Sequence, residues 1–230
     1  MRHTDRHTAL REQLIDAAEC TIAEKGLTAL KARDLAQEVG CAVGTIYNVF
    51  EHLDELVLCV GLRTLAMLEA AFGAVPPSGA NHSTEKATDD VVRLALAYLE
   101  FAATHTVRWR ALFEHRISEA RPLPEWFVEQ QHRLFAQVEG PLAALLPELD
   151  RDARVILART VFSAVHGIVA LGLEEKLVSL PLPDLAGQLA ATVGAIASGR
   201  DELRAIDSGD GPGDFRPAPP RAGRVRARGR

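Results

Sequence analysis

The chain has 230 residues, with 26 Lys+Arg against 31 Asp+Glu, and carries a formal net charge of −5 at pH 7. With 47% hydrophobic and 25% charged residues, its composition is that of a globular protein and excludes collagenous, disordered and membrane-embedded chains. A protein that coats nucleic acid through an overall positive charge is excluded as well.

Cysteine usage and hydropathy predict a cytoplasmic protein without a membrane partner. The three cysteines, Cys20, Cys41 and Cys59, are odd in number and scattered, which fits a reducing compartment better than a disulfide framework. The first thirty residues contain charges throughout and no apolar signal-peptide core. No stretch of about 18 uncharged residues is present, so we expect no transmembrane helix.

Apolar residues recur every three to four positions and sustained alternation is absent, so the sequence predicts an all-α protein. The first helix is expected at about 8–25 and ends at Gly26, a residue suited to the left-handed conformation that follows a helix. Shorter helices are expected at about 31–39 and 43–50, and a longer one at 53–72.

A segment rich in Gly, Pro and small polar residues at 73–87 predicts a loop that separates a compact N-terminal unit, residues 1–56, from a larger body, residues 57–206. The body is expected to hold helices at about 88–103, 106–118, 124–146, 150–177 and 182–198. Residues 207–230, rich in Arg, Pro and Gly, are expected to form a disordered tail.

The second and third helices are joined by the tight turn Gly40-Cys41-Ala42, which is the pattern of a helix-turn-helix. Such a motif inserts its second helix into the DNA major groove. Residues 1–56 carry 6 basic and 10 acidic side chains, so DNA binding has to depend on where the positive charges lie rather than on their sum.

The sequence between Gly26 and Leu56 resembles the N-terminal DNA-binding domain of the TetR family of regulators. The matching residues extend over most of that segment with consistent spacing: Gly26, Arg33-Asp34-Leu35-Ala36, Gly40, Gly44-Thr45-Ile46-Tyr47, Phe50 and Asp54-Glu55-Leu56. The resemblance implies a three-helix helix-turn-helix domain over 1–56, with residues 31–50 as the motif and 43–48 as the recognition helix.

The resemblance also implies a set of DNA-binding residues. Thr45 and Asn48 have side chains that can bond base edges, and the hydroxyl of Tyr47 can reach a phosphate unless its ring is simply packed. The predicted DNA-binding residues are Lys31, Arg33, Ala42, Val43, Thr45, Tyr47, Asn48 and His52.

The chain departs from the family pattern at the helix starts that would face DNA. Leu30-Lys31 and Ala42 stand where relatives carry hydroxyl caps, at a cost of about 1 kcal/mol each. Leu53 stands where relatives carry Lys, and a protonated His52 is expected to substitute for it.

Two basic segments flank the domains. Residues 1–8 are interpreted as a cationic arm, with Arg2, His3, Arg6 and His7 followed by Arg11, suited to phosphates or the minor groove. A frayed polar terminus is the alternative. The Arg-rich tail either strengthens non-specific DNA binding or is simply a solvated end.

In the family, the C-terminal body binds a small molecule and forms the dimer. The stretch from Trp109 to Arg116, Leu123-Pro124-Glu125-Trp126 and Val165-His166-Gly167 resemble the subgroup named for a Trp-His-Gly motif, with Val165 in place of the Trp. The residues expected to surround an effector are Trp109, Phe113, Phe127, Phe162 and His166, with plain core packing as the alternative for each.

We expect no cofactor and no metal, because His105, His115 and His132 lack metal-ligand spacing. Two apolar stripes on the last two helices are interpreted as a dimer seam, or alternatively as intramolecular core. They are Val155, Ala158, Phe162, Val165 and Val169, and Leu182, Leu185, Leu189, Val193 and Ile196.

The sequence therefore predicts a ligand-responsive transcriptional repressor, a homodimer that binds a palindromic double-stranded operator and is released by a small-molecule effector. An enzyme is not expected, because the chain has no Gly-rich phosphate loop, GxSxG or HExxH motif. The alternatives are a helical adaptor that does not bind DNA and a redox-sensing regulator that uses Cys41.

Overall fold

A computed structural model describes residues 3–75, 83–117, 122–174 and 180–199, with side chains from Arg6 onward. This part contains nine α-helices and a short 3-10 turn, and no strand, which confirms the all-α prediction. The predicted tail at 207–230 and Arg2 lie outside the described residues. The helices are α1 (His3–Lys25), α2 (Ala32–Val39), α3 (Val43–Val49), α4 (Leu53–Gly73), α5 (Thr84–Thr104), α6 (Thr106–Glu114), α7 (Glu125–Leu145), α8 (Arg151–Gly172) and α9 (Leu182–Ser198).

Two helices start earlier than the sequence predicts. Helix α1 begins at His3, so Arg6, His7 and Arg11 lie within the helix and not in an arm ahead of it. Helix α5 begins at Thr84, where the Ser83 hydroxyl accepts a hydrogen bond from the Lys86 backbone N–H at 3.3 Å. The end of the predicted 73–87 loop is therefore helical.

Glycines set the turns of the N-terminal unit. Gly26 and Gly40 have φ of +82° and +75°, a region that side chains disfavour. After Gly40, the backbone N–H of Cys41 bonds the carbonyl of Ala36 at 2.9 Å, which closes α2 and leads directly into α3.

The buried residues form two hydrophobic cores, and helix α4 contributes to both. The N-terminal core takes Leu56, Val57, Cys59 and Val60 from α4, together with Ala111 from α6. The body core takes Leu58, Leu65, Leu68 and Phe72 from the same helix. The predicted domain boundary after Leu56 thus falls inside a continuous helix that both units share. The other members of the N-terminal core are Leu14, Ile15, Ala17, Ala18, Ile22, Leu30, Leu35, Ala36, Ile46 and Phe50.

Ion pairs fasten α1 to the body. The guanidinium of Arg63 on α4 contacts carboxylates of Glu12 at 2.8 Å, Asp16 at 2.6 Å and Glu19 at 2.5 Å. Arg108 on α6 also pairs with Glu19. Burial alone would raise the pKa of Glu19, but hydrogen bonds from the two arginines outweigh burial and lower it. The acidic face of α1 therefore has a structural role.

The two apolar stripes on the last two helices lie largely within the protomer. Ala158, Val165 and Val169 of α8 and Leu185, Leu189 and Val193 of α9 are buried in the body core, which favours the alternative of intramolecular core for these six positions, whereas Leu182 is 47% exposed. The helices approach closely at Gly172, where an added Cβ would lie 2.6 Å from the Leu185 methyl groups. The exposed apolar residues of α8 are on another face, at Ile156 (66% exposed) and Leu171 (62%).

Two helices, α4 and α8, are long and apolar enough to cross a membrane by length and hydropathy alone. Half of the α4 window is buried inside the protein, as expected for a central core helix, whereas 22% of the α8 window is buried. The protomer itself therefore leaves most of this apolar window of α8 uncovered.

Candidate functional site

The start of α2 presents two cations to solvent. Lys31 is the N-cap of the helix, with φ −131° and ψ 131°, and its side chain makes no capping hydrogen bond. Lys31 and Arg33 are both exposed. Both side chains can reach a phosphate, and the absence of a hydroxyl cap leaves the first backbone N–H groups of α2 without a side-chain partner at Lys31.

Helix α3 turns one face inward and another outward. Ile46 and Phe50 are fully buried and attach the helix to the N-terminal core. Tyr47 is 50% exposed, and Asn48 is exposed beside it. Since the ring of Tyr47 is half accessible, it is not a purely packed residue.

The N-terminal end of α3 is also accessible. Ala42 is its N-cap without a side-chain hydrogen bond, and Val43 is 38% exposed. Thr45 is half-buried, which leaves its hydroxyl less accessible than the amide of Asn48. The exposed face of α3, namely Val43, Tyr47 and Asn48, therefore has an apolar start and two polar groups.

His52, predicted to replace a missing lysine, is the N-cap of α4 and half-buried. Its Nε2 lies 3.8 Å from a carboxylate oxygen of Glu51. A protonated His52 would be attracted to that carboxylate, so it is a weaker phosphate partner than a free lysine.

Arg11 is a residue whose role the sequence analysis missed. Its Nη2 lies 3.4 Å from Glu55 Oε1 and 3.2 Å from Cys59 Sγ, and its guanidinium lies 4.9 Å from the centre of the Phe50 ring. Arg11 thus fixes the end of α3 and the start of α4 against α1. The only sequence signal was its positive charge, which we interpreted as part of an arm.

The body contains a buried chain of hydrogen bonds. Trp109 Nε1 donates to the Tyr98 hydroxyl at 2.8 Å, and that hydroxyl lies 2.8 Å from His166 Nδ1. The tyrosine hydroxyl can in turn donate its own proton to Nδ1 in the tautomer of His166 that carries its proton on Nε2. Burial lowers the pKa of His166 and raises that of Tyr98.

Four of the five predicted effector residues meet around this chain. The ring of His166 lies 4.1 Å from Phe113, 5.4 Å from Trp109 and 5.9 Å from Phe162, between ring centres. Tyr98, which the sequence analysis missed, joins them. The cavity beside Tyr98 and Phe162 measures about 30 Å³, which is space for about two waters.

The fifth predicted residue, Phe127, lies elsewhere, so its grouping with the other four was wrong. Its ring lies 3.3 Å from where a Cβ on Gly61 would stand, and it packs edge-on against Trp126. Phe127 lines a cavity of about 280 Å³ between α4, α6 and α7. The other residues lining this cavity are Val57, Leu58, Gly61, Ala111, Leu112, His115, Ile117, Leu123 and Gln131.

The two remaining questions are metal binding and a redox role of Cys41. Among the described residues, no group of three or more His, Cys, Asp and Glu side chains could hold a metal ion. Cys41 is half-buried in the turn between α2 and α3.

Comparisons with known families match both parts of the chain. A family model described as "Bacterial regulatory proteins, tetR family" matches residues 14–59, and one described as "Tetracyclin repressor-like, C-terminal domain" matches residues 91–196. The latter description does not mention a Trp-His-Gly motif. No curated protein matches the chain.

Solved structures show the same fold at low identity. A protein of unknown function from Rhodococcus sp. RHA1 is 22% identical, with a TM-score of 0.62 over 81% of this chain and 94% of that one. A tetR-family transcriptional regulator from Streptomyces coelicolor is 18% identical, with a TM-score of 0.59 over 89% and 92%. The TetR family transcriptional regulator PfmR from Thermus thermophilus is 16% identical, with a TM-score of 0.54 over 78% and 96%.

Proposed function

Because the chain belongs to the TetR family of regulators in both its N-terminal and its C-terminal parts, we propose that it is a ligand-responsive transcriptional repressor. The observation that carries the proposal is the exposed face of α3, where Val43, Tyr47 and Asn48 stand on a helix anchored by the fully buried Ile46. In this proposal α3 enters the major groove, where Asn48 reads base edges and Tyr47 meets a phosphate. Lys31 and Arg33 bind the backbone beside it.

The proposed repressor is a cytoplasmic homodimer on a palindromic operator. Two recognition helices related by a two-fold axis would read half-sites about 34 to 36 Å apart, or multiples of that spacing. Exposed apolar residues on α8 and at the start of α9 support a self-complementary contact, notably Ile156, Leu171 and Leu182. Coverage of these residues by a second copy would account for an α8 that is apolar yet little buried in its own protomer.

Ligand control in this proposal runs through α4, because that helix contributes to both cores. An effector that prefers a body conformation incompatible with DNA binding weakens operator affinity, and operator weakens effector affinity by the same factor. Membership of the Trp-His-Gly subgroup is a finer proposal, supported by the Val165-His166-Gly167 sequence and the buried hydrogen bond of His166.

The test is retardation of DNA from the region upstream of the protein's own gene, across a series of salt concentrations. We expect salt-dependent binding, and Lys31→Ala should lower the slope of log affinity against log salt by about 1, the value for one lost phosphate contact. Tyr47→Ala should weaken binding at every salt concentration.

Lys86→Ala on α5, which removes a lysine outside the helix-turn-helix, is the matched control and should bind as the wild type does. A folded protein that retards neither this DNA nor a random operator library at low salt contradicts the proposal and favours the helical adaptor. A Cys41→Ser variant that loses an oxidant response of the wild type would instead favour the redox-sensing alternative.

A further inference from the structure

The cavity of about 280 Å³ between α4, α6 and α7 lies apart from the aromatic cluster around His166. The cavity beside that cluster, next to Tyr98 and Phe162, measures only about 30 Å³. An apolar cavity of about 150 Å³ in a protein core stays dry and holds benzene. The cavity between α4, α6 and α7 therefore has room for one aromatic ring with a short chain, whereas the space beside the cluster does not.

The walls of this cavity belong to both hydrophobic cores. Val57 and Ala111 are members of the N-terminal core, whereas Leu58 and Phe127 are members of the body core. Helices α4 and α6, which supply three of these four residues, are also the helices that join the two units. A molecule in the cavity would therefore contact both units directly.

The lining of the cavity is apolar and carries little charge. Seven of the ten described lining residues are apolar: Val57, Leu58, Ala111, Leu112, Ile117, Leu123 and Phe127. None of the described lining residues is Lys, Arg, Asp or Glu. A charged group in such a cavity loses water without gaining a counterion, which is costly. The lining therefore favours an uncharged ligand.

Two of the described lining residues have polar side chains, namely His115 and Gln131. His115 Nε2 is buried, with Asp54 Oδ1 3.6 Å away, so protein atoms enclose it. Gln131 on α7 is half-buried, and its amide can both donate and accept a hydrogen bond. Of the two, Gln131 offers a ligand the more accessible polar group.

We propose that this cavity binds an uncharged molecule with one ring, a short apolar chain and a hydroxyl group. The ring and the chain lie against Leu58, Leu112 and Phe127, and the hydroxyl bonds the side-chain amide of Gln131. Burial of the apolar part supplies most of the affinity. The single hydrogen bond to the amide fixes the orientation of the ligand.

The proposal deepens the proposed function, because it names the class of effector, and it rests on that function for the regulatory consequence. The ligand contacts Val57 and Leu58 on α4 and Ala111 on α6, where these helices join the two units. Its binding is therefore coupled to the position of the helix-turn-helix. Binding of the ligand itself does not require DNA and is measured without it.

The first probes are 4-phenylbutan-1-ol, 4-phenylbutylamine and 4-phenylbutyrate, which share a ring and a chain and differ in charge. Titration calorimetry on the DNA-free full chain should give the highest affinity for the alcohol. Both charged compounds should bind about tenfold more weakly or worse, because the lining offers neither charge a partner.

The role of the amide is tested with Gln131→Leu, which removes the hydrogen bond and keeps an apolar wall. Affinity for the alcohol should fall about three- to tenfold, the value of one net hydrogen bond, while affinity for ethylbenzene, which has no polar group, should not fall. Gln13→Leu on the exposed surface of α1 is the matched control and should bind both molecules as the wild type does.

The location of the site is tested with Leu112→Trp, which fills part of the cavity with a larger side chain. Affinity for the alcohol and for ethylbenzene should both fall about tenfold or more, since less volume remains for either. Leu180→Trp, at a position that is 47% exposed outside the cavity, is the matched control and should bind both as the wild type does. Thermal unfolding of each variant shows that it is folded.

Three results would each overturn the proposal: no binding of the alcohol at millimolar concentration, a charged compound that binds as tightly as the alcohol, or unchanged binding in folded Leu112→Trp. Unchanged alcohol affinity in Gln131→Leu would refute the assigned hydrogen bond. Retardation of operator DNA is measured separately. A protein that binds DNA but not the alcohol retains the proposed function and loses only this site.

Discussion

Tyr98 is the residue on which the polar chemistry of the body core depends, because its hydroxyl serves Trp109 and His166 at once. Tyr98→Phe would leave Trp109 Nε1 and His166 Nδ1 without their partner. We expect the free energy of unfolding to fall by about 1–3 kcal/mol, the cost of buried polar groups left unpaired. Urea denaturation measures this free energy of unfolding. Tyr47→Phe, which removes an exposed hydroxyl, is the control and should change the free energy of unfolding little. Equal effects of the two substitutions would contradict a special role for Tyr98.

His166 should make stability depend on pH. Burial lowers its pKa in the folded state, so below the ordinary value of about 6.5 the unfolded chain binds a proton that the folded protein does not. This contribution to stability is therefore complete above about pH 7 and is lost as pH falls through the folded-state pKa. We expect thermal unfolding between about pH 7.5 and 5.5 to show a smaller loss for His166→Gln than for the wild type. His132→Gln, which changes an exposed histidine of α7, should behave as the wild type.

The role of a residue was predictable from the sequence where it depends on its neighbours along the chain. It was not predictable where it depends on which helices pack against each other. His166 stood out as a polar residue on an apolar helix, and the structure gives it a buried partner. That partner, Tyr98, lies 68 residues away, and no spacing rule connects them. Phe127 was grouped wrongly for the same reason, since an aromatic residue in the body does not indicate which cavity it lines.

At the scale of elements, the bridge between α1 and the body depends on Arg63. Arg63→Met removes the cation that contacts Glu12, Asp16 and Glu19 and leaves three carboxylates close together. We expect a loss of about 1 kcal/mol, because these pairs are partly exposed. The loss should shrink in about 1 M salt, where the Debye length is about 3 Å.

The same bridge has a predictable acid dependence. Because the folded-state pKa of Glu19 is lowered, its contribution is present above the unfolded value of about 4.3 and disappears as pH falls through the folded-state pKa. The difference between wild type and Arg63→Met should therefore narrow below about pH 4. Arg93→Met, which breaks an ion pair within α5, is the control, and an equal loss in both variants would argue against a bridge between helices.

The helices themselves were largely predictable from apolar periodicity, and their ends were less so. The predicted second, third and fourth helices agree with α2, α3 and α4 to within one residue at each end. Helix α5 begins earlier than predicted because Ser83 caps it, a signal that the preceding Gly- and Pro-rich segment obscured. The stripes on α8 and α9 were visible in the sequence, but whether a stripe faces its own protomer or another copy is a tertiary property.

At the scale of the whole molecule, the proposed dimer predicts that DNA binding can be lost either together with the dimer or while the dimer is retained. Ile156→Glu places a charge on the exposed apolar face of α8 and should shift the protein from dimer to monomer in sedimentation at micromolar concentration. Operator retardation should be lost with it. Tyr47→Ala should remain a dimer and lose only DNA binding. A wild-type protein that sediments as a monomer would overturn the dimer.

The sharing of α4 by two cores limits how this protein can be recombined with others. A chimaera joined after Leu56 would carry the recognition helix but leave behind Val57, Cys59 and Val60, which the N-terminal core requires. It would also lose Arg63 and Arg108, the partners of the acidic face of α1. The DNA-binding part therefore cannot be transferred to another protein on its own. A working hybrid has to exchange α1 to α4 together with a compatible α6, so the two halves of such a regulator are expected to diverge as a matched pair.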